Sequence, residues 1–257
     1  MRLSPRHPRY RSLVVRARLS KQARLGVVAL EGLIAHGRGE AFDYLLGERT
    51  TPSARRATRA AAQWLRAARH PVVSVNGNVA ALASDGVASL QAALPTLRVE
   101  VNLFHRTTGR AELVARALRT AGVRGVLGVH PTARIDGLPS DRARVDRAGI
   151  FVADVCLVPL EDGDRAEALR SLGKRVISID LNPLSRTSRF ADLPIVDELS
   201  RALRNMAEDL RRARAPVAPG HFAPFDASAA LRAARATIDR RLSPRAPARR
   251  RSSPRRR

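Results

Sequence analysis

The chain has 257 residues, of which 44% are hydrophobic, so it is long enough to form one large α/β domain or two small ones. It contains no run of about 18 apolar residues, which excludes a membrane-spanning helix within this sequence, and its single cysteine excludes an internal disulfide. The net charge of +24 favours anionic partners, but aromatic residues make up only 4% and offer few platforms for stacking nucleic-acid bases.

The N-terminal part, up to about residue 70, is predicted to be helical. Residues 8–24 place apolar side chains on one face of a helix and arginines on the other. The segment at 37–42 (GRGEAF) resembles a dinucleotide-binding glycine loop, but it lacks the third glycine and follows no clear strand. A helix over 52–69 is predicted next, with Thr51 or Ser53 as its cap. The basic N-terminus lacks the apolar core of a signal peptide, so a cytoplasmic location is expected.

Six short apolar segments follow as predicted strands, and predicted helices alternate with them. This alternation is typical of a mostly parallel, doubly wound sheet. We therefore expect an α/β fold, a Rossmann-like three-layer sandwich with a helical N-terminal segment. The predicted strands lie at 72–75, 97–101, 123–129, 153–159, 175–180 and 194–196, and the predicted helices at 79–94, 110–121, 141–147, 165–172 and 198–214.

Four of the predicted strands end in a polar cluster. The carboxyl ends of parallel strands meet at one edge of a sheet, where open α/β sheets bind their ligands. We therefore expect the four clusters to form one rim. They are NGN at 76–78, NLFHRT at 102–107, EDGD at 161–164 and DLNPLSRT at 180–187.

The residues of this rim favour a phosphorylated substrate, most simply a nucleotide. Arginine donates paired hydrogen bonds to phosphate, and the acidic cluster at 161–164 suits Mg²⁺, which bridges carboxylates and phosphate oxygens. Each feature also has a structural interpretation, because Asp162 or Asp164 can cap the next helix and Asn76 can simply form a turn. The arginines concerned are Arg16, Arg38, Arg106, Arg165 and Arg186.

Sequence patterns define the catalytic groups less well. His36 and His105 lie in these polar segments and are candidates for general acid–base catalysis or for structural hydrogen bonding. Cys156 lies within an apolar strand and is expected to be an inert core residue. The sequence has no P-loop, no serine-nucleophile elbow, and no zinc-binding or EF-hand motif.

The composition changes at about residue 215, which sets the predicted domain organisation. Residues 1–214 are expected to form a single α/β domain, and residues 215–242 a C-terminal extension with a helix at 229–241 capped by Ser228. The low-complexity basic tail at 243–257 is expected to be disordered. Such a tail is either an arm for nucleic acid or another anionic surface, or an unselected terminus.

Seven long blocks between about residues 7 and 204 are far more specific than a short glycine pattern. They are HPRYRSL, GLIAHGRGEAFDYLLGE, PVVSVNGNVAAL, EVNLFHRT, VLGVHPTARIDGL, ADVCLVPLEDGDRAEAL and ISIDLNPLSRT. These blocks resemble those of the archaeal 4-phosphopantoate–β-alanine ligases, also called phosphopantothenate synthetases.

The resemblance implies an ATP-dependent ligase of coenzyme A biosynthesis that acts as a homodimer. In this family ATP activates the carboxylate of 4-phosphopantoate as an acyl-adenylate, with release of pyrophosphate. The amine of β-alanine then attacks and gives 4′-phosphopantothenate and AMP. Mg²⁺ is expected to accompany the ATP.

Carried over by position, the resemblance implies several site residues. The sequence departs from the family pattern at Glu198, where Asn is frequent, and this favours a backbone contact there. The implied ATP-binding residues are Arg16, Arg38, Asp180, Leu181, Asn182, Arg186, Thr187, Glu198 and Leu199. The polar strand ends themselves, apart from the resemblance, give Asn76, Asn78, His105 and Arg106 as candidates for binding the acid substrate, and Asp162 and Asp164 as candidates for Mg²⁺.

Two alternative functions stay open at this point. One is a nucleotide-dependent ligase that acts on unphosphorylated pantoate or another small acid. The other is a basic nucleic-acid-binding protein, an interpretation that depends on the net charge and the tail alone.

Overall fold

The computed structural model describes residues 4–7, 9–138, 140–213 and 217–243. Helices and strands alternate along most of this part of the chain. The helices are α1 (Tyr10–Arg24), α2 (Leu30–Leu46), α3 (Pro52–Ala67), α4 (Gly77–Ala93), α5 (Thr108–Thr120), α6 (Gly163–Ser171), α7 (Arg186–Phe190), α8 (Leu199–Arg212) and α9 (Ala227–Leu242). The strands are β1 (Pro71–Val75), β2 (Arg98–Val101), β3 (Ala133–Arg134), β4 (Arg144–Val145), β5 (Val155–Pro159), β6 (Arg175–Ile179) and β7 (Leu193–Ile195).

Five of the strands form one parallel sheet in the order β2-β1-β5-β6-β7. Counted along the chain within this sheet, the order is 2-1-3-4-5, which is a doubly wound arrangement. The predicted α/β fold is therefore confirmed. The two remaining strands, β3 and β4, pair antiparallel in a small separate ribbon.

The central strands are buried on both faces, as their continuous apolar sequences require. Val155 and Leu157 of β5 pack into the larger core, which includes residues of α3, α4, α5 and α8. Cys156 and Val158 point to the opposite side, into a smaller core that includes α6. The alternation of side chains along each strand thus produces the three layers.

Two predicted elements are wrong. The segment 123–129 forms only one isolated bridge to β2, between Glu100 and Leu127. Gly125 and Gly128 both have positive φ, at 60° and 81°, and this backbone prevents a longer ladder. The helix predicted at 141–147 is instead a short 3₁₀ turn followed by β4.

The helix caps show how the sequence sets element boundaries. Thr51 accepts a hydrogen bond from the backbone N–H of Ala54 at 3.1 Å and caps α3, which confirms one of the two predicted caps. Asp226 caps α9, so the prediction of Ser228 in this role is wrong.

The C-terminal extension contains α9, which packs through Ala234 and Ile238 onto Leu46, Leu181 and Val196. The proposed division into domains stays a prediction, and most of the basic tail lies outside the described residues. No helix in the described ranges is long and apolar enough to cross a membrane.

Candidate functional site

A cleft of about 570 Å³ lies between α2 and the carboxyl edge of the sheet. It lies beside the gap between β1 and β5, where the strand order reverses, and open α/β sheets bind ligands at such a point. Because the sheet is parallel, three of the four predicted polar clusters meet here. The lining residues include His36, Arg38, Phe42, Asn78, Leu160, Glu161, Asp180, Leu181, Asn182, Ser185 and Thr187.

The turn after β1 fixes the start of α2. The side-chain N–H of Asn78 donates to the carbonyl oxygen of Gly32 at 2.8 Å, and a Cβ on Gly32 would clash with that Asn78 side chain. Gly77 approaches the carbonyl oxygen of Val27 so closely that a Cβ there would also clash. The glycines of two distant sequence blocks therefore allow α2 to dock on the N-terminus of α4.

Asn76 has a structural role in the same turn. Its Oδ1 accepts from the backbone N–H of Val79 at 3.1 Å and caps α4, while its Nδ2 donates to the carbonyl oxygen of Leu160 at 2.8 Å. Leu160 has a positive φ of 50°, which is a strained backbone conformation for a leucine. The bond from Asn76 and one from the Leu160 N–H to the carbonyl oxygen of Ile179, at 3.0 Å, hold it there.

The turn after β6 is held by its own polar side chains. Asp180 accepts from the backbone N–H of Asn182 at 3.0 Å and from the hydroxyl of Ser185 at 2.6 Å. Asn182 accepts from the backbone N–H of Leu184 at 2.8 Å. Burial raises the pKa of Asp180, although the hydrogen bonds from Asn182 and Ser185 and the charge of Arg38 act in the opposite direction. The carboxylate is thus held in place at the floor of the cleft.

Arg38 lies in the wall of the cleft. Its side chain is exposed, and it makes no hydrogen bond or ion pair with any residue of the described ranges. Its charge acts on Asp180, which lies across the cleft. A guanidinium in this position can bind an anion without first breaking another contact.

Arg16 contacts α2 rather than the cleft. Its Nε and Nη2 both lie 2.9 Å from Oε2 of Glu40, and Oε1 of the same carboxylate accepts a hydrogen bond from the Ser12 hydroxyl. Burial raises the pKa of Glu40, but the bonds from Ser12 and Arg16 outweigh this and leave the pKa below its ordinary value. Glu40 therefore stays charged and joins α1 to α2.

Behind the cleft lies a buried group of charges. Glu161 pairs with Arg142 and lies 3.5 Å from Nη1 of Arg165, which also donates to the side chain of Asn102. Burial raises the pKa of Glu161 and lowers that of Arg165, while each charge favours the ionised form of the other. The carbonyl oxygen of Glu161 accepts from the Thr187 hydroxyl at 2.6 Å, which fixes the start of α7.

The predicted magnesium ligands have other contacts. Asp162 caps α6 by accepting from the Arg165 N–H at 2.9 Å, and its Oδ2 lies 3.0 Å from Nε of Arg142. Asp164 is exposed and pairs with Arg186. The described ranges contain no group of three or more His, Cys, Asp or Glu side chains that could hold a metal ion. These two carboxylates therefore do not form a ready metal site, and their role in binding Mg²⁺ stays a prediction.

The remaining predicted ATP residues lie at helix starts. Glu198 caps α8 by accepting from the backbone N–H of Ser200 at 2.9 Å and of Arg201 at 3.0 Å. Leu199 is buried, and Arg186 is occupied by its ion pairs. None of these three lines the cleft, whereas Arg38, Asp180, Leu181, Asn182 and Thr187 do.

A second cleft of about 590 Å³ includes His105 and Arg106. Nη2 of Arg106 donates to the carbonyl oxygens of Gly128 and Val129, each at 2.6 Å, and burial lowers the pKa of Arg106. The fourth polar cluster therefore forms a separate cleft of mixed charge, also lined by Arg110, Glu31 and Asp141.

Several lining residues were not candidates in the sequence analysis, among them Ser185, Phe42 and Leu160. Ser185 caps α7 by accepting from the backbone N–H of Ser188 at 3.1 Å, and a serine directly before a helix is a capping signal that could have identified it. Phe42 and Leu160 line the cleft through long-range packing and a strained turn, which no local pattern reveals.

Comparisons with known proteins identify the family of the chain. The family model described as "Phosphopantothenate/pantothenate synthetase" matches residues 53–241. The 4-phosphopantoate–β-alanine ligase of Methanospirillum hungatei is 56% identical over 201 residues, which cover 78% of this chain and 82% of the relative. The ligase of the same name from Methanosarcina mazei is 55% identical over 202 residues, 79% of each chain. That from Thermococcus kodakarensis is 53% identical over 203 residues, which cover 79% of this chain and 77% of the relative.

Proposed function

The chain belongs to the phosphopantothenate/pantothenate synthetase family and is a ligase, and on that premise we propose that it joins 4-phosphopantoate to β-alanine with the consumption of ATP. The products would be 4′-phosphopantothenate, AMP and pyrophosphate, in a step of coenzyme A biosynthesis. The name shared by the relatives supports 4-phosphopantoate as the acid substrate and β-alanine as the amine substrate. The family description also covers pantothenate synthetases, so unphosphorylated pantoate is the alternative acid.

The observation that carries this proposal is the cleft between α2 and the sheet edge, where a free cation faces a fixed polar turn. We assign the triphosphate to the side of Arg38, because an unpaired guanidinium suits phosphate oxygens. We assign the nucleoside to the Asp180–Asn182 turn, because a carboxylate at a strand end suits ribose hydroxyls. Thr187 lies at the start of α7, beside this turn.

Apart from Leu181, the other predicted ATP-binding residues do not line the cleft, and some of their side chains would have to move to reach the nucleotide. Arg16 and Arg186 would have to share or exchange their carboxylate partners to bind phosphate. Leu181 and the backbone at Glu198 and Leu199 would contact the adenine. Mg²⁺ would be held mainly by the phosphates, with one or two carboxylates.

We assign the acid substrate to the region between the two clefts. Asn78 lines the first cleft, and His105 and Arg106 line the second. The phosphate of 4-phosphopantoate would bind beside the guanidinium of Arg106 and its carboxylate would point towards the nucleotide. Asn76 is no longer a candidate contact in this proposal, because both ends of its amide have protein partners.

The chemistry would proceed in two steps. A carboxylate oxygen of the acid attacks the α-phosphorus of ATP and displaces pyrophosphate. The amine of β-alanine then attacks the acyl carbon, and the bond from that carbon to the AMP oxygen breaks. The cationic wall stabilises the charge that develops on the phosphoryl groups in the first step.

We also propose that the active form is a homodimer. Leu30 and Ile34 on α2 are 73% and 69% exposed, and Tyr44 is 43% exposed on the same helix face. An apolar face of this kind is suited to a second copy of the chain. Replacing Ile34 by glutamate should then give a monomer in light-scattering measurements, while the same change at exposed Leu172 should not.

An assay of purified protein with ATP, β-alanine and either 4-phosphopantoate or pantoate tests the function. We expect AMP and pyrophosphate with 4-phosphopantoate, and formation of ADP would contradict an adenylate. Arg38→Ala should raise KM for ATP by about 10-fold or more with the fold intact, since charge-assisted hydrogen bonds contribute about 1.5–3 kcal/mol. Arg56→Ala, at an exposed arginine of α3, is the matched control and should leave KM unchanged.

A further inference from the structure

We propose that His36 is the general base that takes a proton from the ammonium group of β-alanine before the amine attacks the acyl-adenylate. This inference rests on the proposed function, because it assigns a residue to the second of its two steps.

The first support is the position of His36. It lies on α2, and its side chain lines the same cleft as Arg38 and Asp180. Within the described ranges no hydrogen bond or ion pair engages its imidazole ring. Both ring nitrogens therefore remain available to a substrate.

The second support is that the other titratable groups of the cleft are already engaged. Asp180 accepts two hydrogen bonds, and Glu161 is buried between Arg142 and Arg165. A carboxylate held in this way is a poor base, because taking a proton would break its contacts. His36 is left as the one described lining residue that can gain a proton without that loss.

The surroundings of His36 keep its imidazole neutral. Burial lowers its pKa, and the charge of Arg16 on α1 lowers it further. Glu40 on the same helix and Glu198 at the start of α8 act in the opposite direction without cancelling the effect of burial. A neutral imidazole at pH 7 is the form that can accept a proton.

The proposed step balances as follows. An imidazole nitrogen of His36 takes one proton from the ammonium of β-alanine, and the nitrogen lone pair forms the new bond to the acyl carbon. The bond from that carbon to the phosphate oxygen breaks, so AMP leaves with the electron pair. The amide nitrogen loses its second proton to water, and the imidazolium returns its proton to solvent.

The experiment separates the two half-reactions in the full-length protein. Exchange of labelled pyrophosphate into ATP, dependent on 4-phosphopantoate, reports the first step, and 4′-phosphopantothenate formation reports the whole reaction. In His36→Asn we expect exchange within about 2-fold of wild type and ligation at pH 7 reduced about 10²-fold to 10⁴-fold. Hydroxylamine, which is neutral at pH 7 and needs no base, should still trap the adenylate. His221→Asn, at an exposed histidine on the 217–226 segment, is the matched control and should match wild type in both assays.

The pH profile gives a second readout that a merely structural role would not alter. The kcat of the wild type should decline at acid pH with an apparent pKa below that of an ordinary histidine. Glu40→Gln should move this decline to lower pH, because it removes a negative charge that favours the imidazolium. Unfolding of His36→Asn is checked by its melting temperature, with His36→Gln as a second variant.

Each result decides the proposal. Unchanged ligation in a folded His36 variant would overturn it, as would equal loss of exchange and ligation, which would assign His36 to adenylation. Absence of exchange in the wild type, with AMP still formed, would instead reject the acyl-adenylate of the proposed function.

Discussion

Replacing Asn76 by alanine should destabilise the protein, because its amide joins two strand ends. Asn76 is buried, and its Oδ1 caps α4 by accepting from the Val79 N–H at 3.1 Å. Its Nδ2 donates to the carbonyl oxygen of Leu160 at 2.8 Å. Both bonds are lost in Asn76→Ala, and the Leu160 carbonyl is left without its donor.

The expected magnitude follows from these two losses. Loss of a helix cap costs about 1 kcal/mol, and a buried carbonyl without its donor costs about 1–3 kcal/mol. The free energy of unfolding should therefore fall by about 2–4 kcal/mol. Asn76→Asp keeps the capping oxygen but places a carboxylate oxygen against the Leu160 carbonyl, so a loss of stability in this variant reports the donor side of the amide.

Urea unfolding at a constant m-value measures the change, and steady-state kinetics measures KM for each substrate. We expect a lower urea midpoint for both variants. A wild-type midpoint for Asn76→Ala together with a raised KM for the acid substrate would show that Asn76 acts on the substrate. The structural account given above would then be wrong.

Three further predictions use other buried positions. Gly77→Ala should lower the free energy of unfolding by about 1–3 kcal/mol, because the new Cβ clashes with the Val27 carbonyl oxygen. Gly109→Ala, which has open space around it, should be neutral or slightly stabilising. Equal urea midpoints for the two variants would contradict this. Burial raises the pKa of Glu100 from its ordinary 4.5 to about 7, so the folded state binds an extra proton between these values, and its contribution to stability is lost as pH rises through about 7. That loss is on the order of 3 kcal/mol. Glu100→Gln should flatten the dependence of unfolding free energy on pH between 4.5 and about 7, and an unchanged slope would refute the assignment. Burial raises the pKa of Cys156 to about 12, so a thiol reagent should label it only on unfolding, and rapid labelling of the native protein would contradict its core position.

Much of the fold could be predicted because its local signals agree with its packing. Strands β1, β5 and β6 are short apolar runs bounded by polar turns, which is the pattern of parallel strands buried on both faces. The segment at 123–129 has the same apolar composition, yet two glycines with positive φ stop it from pairing beyond one bridge. A glycine is compatible with an extended strand and with a left-handed turn, so the sequence pattern could not show which of the two conformations this segment adopts.

The candidate site was partly predictable for a related reason. Parallel strands deliver their carboxyl ends to one edge, so Asp180, Asn182 and Thr187 could be placed together from the pattern of strands and helices. Which side chains face the cleft depends on contacts between distant parts of the chain, such as that of Asn78 with Gly32. The pattern alone could not show that Asn76 points its amide into the protein, because the same turn sequence also fits a substrate contact.

Helix α2 shows how one block of sequence supports the whole site. Its start is held by Asn78, which donates to the carbonyl oxygen of Gly32, and its end by Arg201, which donates to Asp43 at 2.5 Å and 3.1 Å. Between these two attachments Glu40 binds α1 through Arg16. The free side chains of α2 that face the cleft, His36 and Arg38, are therefore carried by a helix fixed at both ends. A site that positions a nucleotide against a second substrate needs such a fixed wall, because a displacement of about 1 Å in a reacting group can cost about 10²-fold in rate.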